Sequence, residues 1–344
     1  MKFVFLLGRR MIVLIVLVLL GLEGIFYVYY TPSAKPLFID SAGPTRDTLV
    51  LIWDCPFGHR IWRQSCRKQF DISGCRLTNN HSDYENADGV MFHHRDIQQN
   101  VSKLWNMSRP PWQKWVWMNM ESPENSHRAP GLDELFNLTA TYRRDSDVWV
   151  PYGRIVQASD QHQAFKIPEK DKLVCWVVKN WNQRLKRVEY FKKLRKHINI
   201  DTYGGYFNKV LNLTEYFQTI SSCKFYLAFE NSIHRDYFTE KLFNPMSVGT
   251  VPVVLGPPRE NYEEFLPAHS FIHVDDFESP RELAKYLTFL DQNPDFYERY
   301  FTWRKHFAVT RSSFALEHAC RICDYLRRQK GYRVVKNLST WYWS

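Results

Sequence analysis

The sequence predicts an α/β protein with two parallel-sheet domains, preceded by one N-terminal transmembrane helix. Its 344 residues exceed a usual single hydrophobic core, which indicates two domains. Short apolar runs typical of buried strands alternate with amphipathic stretches over residues 48–310, a pattern typical of parallel sheets. One long apolar run occupies residues 11–30. Hydrophobic residues make up 44% of the chain, so the composition argues against a disordered protein.

The N-terminal apolar run predicts a membrane anchor. Residues 11–30 contain one charged side chain, Glu23, and a helix of that length spans about 30 Å, the thickness of the hydrocarbon layer. Three basic residues in the tail 1–10 favour a cytoplasmic N-terminus and a lumenal C-terminal part. A cleaved signal peptide is the alternative, but the run ends in bulky aromatic residues rather than a small-residue cleavage site. Residues 31–47, with three prolines, are expected to form a short stem.

The rest of the chain divides into two successive α/β units. In the first unit, residues 48–155, strands are predicted at 49–53, 89–92 and 115–118. In the second unit, residues 170–310, strands are predicted at 172–178, 198–203, 225–229, 251–255 and 270–274, and helices at 184–197 and 282–290. Another helix is expected to begin at Thr239 as its cap. Ligands bind at the carboxyl ends of parallel strands, so two such units facing each other are expected to enclose a cleft.

Sequons and cysteines both indicate the secretory pathway. Six Asn-x-Ser/Thr sequons without proline occur, at Asn80, Asn100, Asn106, Asn137, Asn212 and Asn337. Seven cysteines fit three disulfides and one free thiol in an oxidising lumen. The close pair Cys320 and Cys323 leaves a zinc or redox site as an alternative. Structural disulfides are favoured because no second pair has a zinc-type spacing.

The basic charge and the absence of familiar motifs narrow the function. The formal charge of +10 comes mainly from dispersed side chains, and no zinc finger or RNA-binding motif occurs, so a nucleic-acid partner is not expected. A site for an anionic nucleotide remains as an explanation, beside a merely solvated surface. No dinucleotide-binding, P-loop or hydrolase-elbow motif is present. Asp145-Ser146-Asp147 is a D-x-D motif, which metal-dependent sugar transferases use, but it also occurs often by chance.

The segment 224–256, KFYLAFENSIHRDYFTEKLFNPMSVGTVPVVLG, resembles the donor-binding signature of the α1,3/α1,4-fucosyltransferases, glycosyltransferase family ten. The similarity extends through WVWMNMESP, YRRDSDVWVPYG and HSFIHVDDFESPRELAKYL and covers roughly residues 48–344. Within the family, the chain is most similar to the vertebrate Lewis X-forming, brain-type subgroup. The resemblance implies a GT-B fold of two Rossmann-like domains facing a cleft. It assigns residues 48–155 to the acceptor, residues 170–310 to GDP-fucose, and 311–344 to a tail that returns to the N-terminal domain.

The resemblance also implies a reaction. Fucose would pass from GDP-β-L-fucose to O3 of GlcNAc in N-acetyllactosamine-type glycans, with inversion and release of GDP. Glu121 matches the catalytic base, and Glu240 matches the carboxylate that faces the fucose. The phosphates would be held by Arg187 and Lys241 without a metal ion or other cofactor, which makes the D-x-D motif structural. The full set of expected donor contacts is Tyr152, Lys179, Asn180, Arg187, Tyr226, Asn231, Tyr237, Glu240 and Lys241. The expected acceptor contacts are Glu121 and His59, the latter in the loop 56–59.

The resemblance further implies the disulfides and the cellular setting. The family pairs correspond to Cys66–Cys320, Cys75–Cys323 and Cys175–Cys223, with Cys55 free. The chain is expected to be a single-pass type II protein of the Golgi membrane, with its catalytic part in the lumen. Its partners would be GDP-fucose and lactosamine-type glycans on glycoproteins or glycolipids. The sequence leaves the oligomeric state open, with a homodimer as one option.

Three departures from the family pattern keep other functions open. Lys179 stands where relatives carry serine, His59 replaces glutamine, and Pro245 replaces alanine inside a predicted helix, which it is expected to kink or break. One alternative is a transferase of another sugar or acceptor specificity, with or without a metal at the D-x-D motif. The other is a non-catalytic membrane lectin with a decayed donor site. Retention of the main motif residues argues against decay; these are Glu121, Arg187, Asn231, Glu240 and Lys241.

Overall fold

The computed structural model describes residues 46–54, 56–58, 65–158, 165–329 and 331–344. The predicted anchor at 11–30, the tail before it, nearly all of the stem, Cys55 and His59 lie outside these residues. Among the described helices, none has both the length and the apolar character needed to cross a membrane. Residues 47–344 form one compact unit, which contains two parallel sheets. The predicted α/β class with parallel sheets is therefore confirmed.

The first sheet has six parallel strands in the order β2-β1-β3-β4-β5-β6. The strands are β1 (Thr48–Ile52), β2 (Cys75–Thr78), β3 (Gly89–His93), β4 (Lys114–Asn119), β5 (Leu138–Thr141) and β6 (Val148–Trp149). Strands β1, β3 and β4 are the predicted ones, and nearly all of their residues are buried because the sheet is covered on both faces. Short helices line its connections: α1 (Cys66–Phe70), α2 (His94–Ile97) and α3 (Val101–Trp105).

The second sheet has five parallel strands in the order β12-β11-β10-β8-β9. These are β8 (Lys172–Val177), β9 (Asp201–Tyr203), β10 (Cys223–Phe229), β11 (Val251–Leu255) and β12 (Ile272–His273). Its helices are α4 (Lys186–Leu194), α5 (Leu213–Ser221), α6 (Glu240–Ser247), α7 (Arg259–Glu263), α8 (Pro280–Gln292) and α9 (Pro294–Glu298). Alternate side chains of β10 point into two different cores: Phe225 and Leu227 pack with α4 and α8, whereas Tyr226 and Ala228 pack with α5 and α6.

An antiparallel ribbon and a returning C-terminus complete the unit. Strand β7 (Gly153–Gln157) follows the first sheet and pairs with β13 (Phe307–Arg311), which follows the second. Helix α10 (Leu316–Arg328) then packs on β1 and β2, and α11 (Leu338–Trp343) ends the chain beside the first sheet. The three predicted disulfides are confirmed: Cys66–Cys320, Cys75–Cys323 and Cys175–Cys223.

Two expectations differ from the structure. Helix α6 is not broken at Pro245 but continues to Ser247, so the proline removes one backbone hydrogen bond without ending the helix. Five of the six sequon asparagines are exposed, but Asn137 is fully buried. Its amide nitrogen donates to the Arg333 carbonyl at 2.7 Å and its oxygen accepts from the Trp115 backbone at 2.8 Å. This arrangement has no room for the glycan that the sequence predicts at Asn137.

Candidate active site

A cavity of about 1210 Å³ brings residues from both parts of the chain together. One side is lined by residues that follow β3 and β4, including His94 and Glu121. Another side is lined by Glu240 and Asn244 of α6, and a third by the end of β13 and the segment after it. The residues after β3 and β4 lie at the carboxyl ends of parallel strands, where ligands bind in α/β proteins.

Glu121 lies at the cavity wall two residues beyond β4. Its Oε1 atom accepts a hydrogen bond from the Tyr237 hydroxyl at 2.6 Å and another from the Ser122 amide at 3.0 Å. The Glu121 amide donates to the Asn119 side chain at 3.1 Å, and its carbonyl accepts from the Tyr342 hydroxyl. The side chain and the backbone of Glu121 are thus both held in place. A group that reacts with a substrate atom needs such a fixed orientation.

A charge cluster with one buried member, Glu230, lies at the start of α6. The Lys241 ammonium lies 3.1 Å from Glu230 and 3.1 Å from Glu240. Glu230 is 2% exposed and also accepts from the Thr239 amide at 2.7 Å. Thr239 caps the helix, as the sequence predicted. The cluster therefore presents one lysine at the helix N-terminus, where the dipole and the open amides also favour an anion.

The electrostatics of this cluster follow from burial and pairing. Burial raises the pKa of Glu230 above its usual 4.5, although Lys241 opposes the rise. Desolvation alone would lower the pKa of Lys241, but the carboxylates of Glu230 and Glu240 raise it above its ordinary value. Desolvation would likewise raise the pKa of Glu240, yet the Lys241 ammonium outweighs it and lowers that pKa. At neutral pH the cavity thus contains a Glu240 carboxylate beside a lysine cation.

Arg187 and Asn231 carry buried polar atoms that no described residue satisfies. Arg187 is 4% exposed, its Nη2 donates to the Asn180 carbonyl at 2.5 Å, and its Nε has no partner among the described residues. Burial lowers the pKa of Arg187. The Oδ1 atom of Asn231 is also buried without a partner within the described ranges. Buried polar atoms of this kind are costly unless a ligand or water completes their hydrogen bonds.

The hydroxyl groups of the three predicted tyrosines each lie within hydrogen-bonding distance of another protein group. Tyr237 donates to Glu121, and Tyr152 donates to the Met120 carbonyl. Tyr226 is 1% exposed in the core beneath α6, with its hydroxyl 3.4 Å from the Val177 carbonyl. Burial raises the pKa of all three phenols. Tyr152 and Tyr237 therefore brace the loop that carries Glu121, whereas Tyr226 does not line the cavity.

The remaining predicted residues lie apart. Lys179 and Asn180 are exposed in the segment after β8, and His59 lies outside the described residues. The described part of the acceptor loop contains Phe57, which is 58% exposed and lines the cavity. Its ring lies 5.2 Å from the ring of His93 and 5.6 Å from that of Phe314. These rings form an aromatic wall that the sequence pattern did not identify.

The carboxylates of the D-x-D motif have partners within the protein. Asp147 accepts from the Thr139 amide at 2.8 Å and pairs with Arg333 at 2.5 Å. Asp145 pairs with Arg143 at 2.9 Å and accepts from the Trp341 indole at 2.9 Å. Throughout the described ranges, no group of three or more His, Cys, Asp or Glu side chains could hold a metal ion.

Two contributors to the site escaped the sequence patterns. Glu230 stands in the quoted segment 224–256, directly after the largely buried strand β10, and this position indicates a buried carboxylate. Tyr342, two residues before Ser344, contacts Glu121 across 221 residues of sequence, and no local signal reveals such a contact.

Comparisons with known proteins agree with the resemblance found in the sequence. Residues 167–341 match the family described as "Glycosyltransferase family 10 (fucosyltransferase) C-term", and residues 45–153 match "Fucosyltransferase, N-terminal". The chain is 51% identical over 310 residues to 4-galactosyl-N-acetylglucosaminide 3-alpha-L-fucosyltransferase 9 of Mus musculus, covering 90% of this chain and 86% of that protein. The Homo sapiens protein of the same name is 49% identical with the same coverage.

A more distant relative and a solved structure agree. The Bos taurus 3-galactosyl-N-acetylglucosaminide 4-alpha-L-fucosyltransferase FUT3 is 41% identical over 326 residues, covering 90% of this chain and 89% of that protein. A crystal structure of an alpha1,3-fucosyltransferase with GDP-fucose is similar with a TM-score of 0.51 and 17% identity, covering 89% of this chain and 97% of that one. At that identity the structural similarity concerns the fold alone.

Proposed function

Because the chain belongs to glycosyltransferase family 10, the fucosyltransferases, we propose that it transfers L-fucose from GDP-β-L-fucose to O3 of GlcNAc in N-acetyllactosamine-type glycans. Relatives about half identical over nine-tenths of the chain are named for this 3-α-L-fucosyl transfer. The observation that carries the proposal is the shared cavity, in which Glu121 from one part of the chain and Glu240 from another line the same space.

The proposed chemistry is a single displacement with inversion. Glu121 takes the proton from the O3 hydroxyl, the O3–C1 bond forms, the bond from C1 to the β-phosphate oxygen breaks, and GDP leaves. Both hydrogen bonds to the Glu121 carboxylate from described side chains and amides use Oε1, so Oε2 is the atom assigned to the substrate proton. Glu240, charged at neutral pH, stabilises the positive charge that develops at C1.

The leaving diphosphate is proposed to be stabilised by the protein's own cations. Lys241 stands at the N-terminus of α6. The Nε of Arg187, which has no partner among the described residues, is a second donor for a phosphate oxygen. Lys179 and Asn180 in the exposed segment after β8 are assigned to the outer phosphate or ribose. The Oδ1 atom of Asn231, unpartnered within the described ranges, is assigned to a hydroxyl group of GDP-fucose. In this proposal no metal ion or other cofactor is required.

The finer architectural and cellular assignments belong to the same proposal. The two parallel sheets with a cavity lined from both parts of the chain support a GT-B arrangement, in which residues 48–155 bind the acceptor and 170–310 bind the donor. The apolar run at 11–30 supports a type II anchor in the Golgi membrane. The acceptors would then be lactosamine-type glycans on glycoproteins or glycolipids in the lumen.

The test is a transfer assay on the purified full chain in detergent. GDP release is measured from GDP-fucose with and without N-acetyllactosamine, and the linkage of the product is determined. We expect acceptor-dependent GDP release and fucose on O3 of GlcNAc. Glu121→Gln should bind GDP normally but lose at least about a hundredfold in turnover. GDP release without a fucosylated product, or a product carrying another sugar, would contradict the proposed function. Normal turnover of Glu121→Gln would contradict its role as the base.

A further inference from the structure

Two segments from different sheets meet beside the cavity. The base loop, residues 119–126, follows β4 and carries Glu121. The donor segment, residues 230–237, follows β10 and carries Asn231. Contacts between these two segments fix where the proposed base lies relative to the proposed donor site.

A hydrogen-bonded cluster of two buried serines and one exposed asparagine joins the two segments. The hydroxyl oxygens of Ser122 and Ser232 lie 2.7 Å apart, and the Asn125 amide nitrogen donates to each of them at 2.9 Å. Both serines are buried, at 0% and 8% exposure, so water does not replace a lost contact easily. A second contact, the hydrogen bond between the His234 ring and the Glu124 carboxylate, lies at the more exposed rim. The serine cluster is therefore the dominant link.

The end of the donor segment is held in an unusual backbone conformation. Asp236 has a φ of 64°, in the left-handed region that a residue with a side chain rarely adopts. Its carboxylate accepts from the Arg144 amide at 2.9 Å and from the Asn261 side chain at 2.9 Å, which keeps it there. The next residue is Tyr237, whose hydroxyl reaches Glu121. The orientation of that hydroxyl thus depends on how the whole donor segment is seated.

We propose that Ser122, Asn125 and Ser232 are positioning residues for Glu121. They bind the donor segment to the base loop, so that Tyr237 holds the Glu121 carboxylate in one direction. The inference rests on the proposed function, since it assumes that Glu121 is the base. It assigns an indirect role to three side chains that take no part in bond making.

The experiment compares Ser232→Ala with Ser221→Ala in the full chain. Ser221 is a control because, among the described residues, its hydroxyl bonds just the Gln218 carbonyl in its own helix. For Ser232→Ala we expect kcat to fall about tenfold while the KM for GDP-fucose and the affinity for GDP stay within about twofold. The control should retain wild-type constants. A raised KM with unchanged kcat, or no effect on either, would overturn the proposal.

A second variant and a second readout protect the test. Asn125→Ala, at an exposed position, keeps both serines and should lower kcat in the same direction without unfolding the chain. Hydrogen exchange of residues 119–126 should be faster in both variants than in the control. If the wild-type chain transfers no fucose, the proposed function fails, and the exchange data still decide whether the cluster holds the base loop. Unchanged exchange in both variants would refute the link itself.

Discussion

The buried pair of Glu230 and Lys241 gives the sharpest prediction. The change is Lys241→Met, which keeps the length of the side chain and removes its charge. Glu230 then loses the ammonium 3.1 Å away and, within the described part of the chain, keeps its side-chain hydrogen bonds from Thr239. The variant should be less stable than the wild type even without substrate, because a buried carboxylate is left without its counter-charge.

The magnitude follows from the burial of the pair. Removing one partner of a fully buried ion pair costs about 3–5 kcal/mol. The Glu230 side chain is 1% exposed, but that of Lys241 is 23% exposed, so water screens part of the interaction and the lower end applies. We expect a loss of about 3 kcal/mol in the free energy of unfolding near neutral pH.

The loss should depend on pH in a defined direction. Burial raises the pKa of Glu230 above its ordinary 4.5. A carboxyl of this kind contributes stability that is complete below its unfolded pKa and is lost as the pH rises through its folded pKa. Without Lys241 the folded pKa rises further, so protonation relieves the variant as the solution is acidified. The difference from the wild type should shrink by about 1 kcal/mol or more between about pH 7.5 and about pH 5.

Urea unfolding followed by tryptophan fluorescence measures this difference on the full chain in detergent. Lys285→Met is the matched control, because Lys285 is an exposed lysine paired with Glu282 at 2.8 Å on α8. The control should lose less than about 0.5 kcal/mol at either pH. A Lys241→Met variant as stable as this control, or one whose deficit grows on acidification, would refute the reasoning.

Three further predictions follow from single features. In Gly153→Ala the new Cβ would lie 2.4 Å from the ring of Phe243, so we expect the free energy of unfolding in urea to fall by about 1–3 kcal/mol. The control Gly205→Ala places its Cβ where nothing lies within 4 Å and should change that free energy by less than about 0.5 kcal/mol. Equal effects of the two substitutions would contradict the clash. Desolvation lowers the pKa of Lys170 to about 7, so between about pH 7 and pH 10 the lysine is neutral in the folded chain and charged in the unfolded chain. The stability of the wild type should therefore rise over this range relative to that of Lys170→Met. Parallel plots of stability against pH for the two proteins would contradict this prediction. Fucose transfer should retain at least about half its rate in EDTA, because the carboxylates of Asp145 and Asp147 are already bonded to Trp341 and Arg333. Strict dependence of the rate on Mn²⁺ would show that a metal ion takes part.

The main strands were predictable because their sequences are continuous apolar runs. Strands β1, β3, β4 and β8 form where the runs indicated, since both faces of each sheet are covered. Strand β5 was missed because Thr139 and Thr141 interrupt its apolar pattern, although both are buried and hydrogen-bonded. The β7–β13 ribbon joins positions about 150 residues apart, and no local sequence pattern predicts such a pairing.

The site was predictable residue by residue but not as an arrangement. The motif segments supplied Glu121, Glu240 and Lys241, and the structure places the two glutamates on one cavity. The hydrogen bond between Glu121 and Tyr237 joins residues 116 positions apart, so spacing alone could not reveal it. Tyr226 belongs to the same motif but is buried beneath the site, because neighbouring residues of a strand point to opposite faces.

The two long-range disulfides affect how the protein is made. Cys66 and Cys75 pair with cysteines 254 and 248 residues later, in the helix α10 that covers the first sheet. The strands of that sheet leave the ribosome roughly ten to fifty seconds before this helix does, at ordinary rates of synthesis. During this interval one apolar face of the first sheet is uncovered, and the thiols of Cys66 and Cys75 are not yet paired. Folding of the N-terminal half therefore has to be completed after translation, and chain termination after the second sheet would leave that half exposed to chaperones and to mispairing.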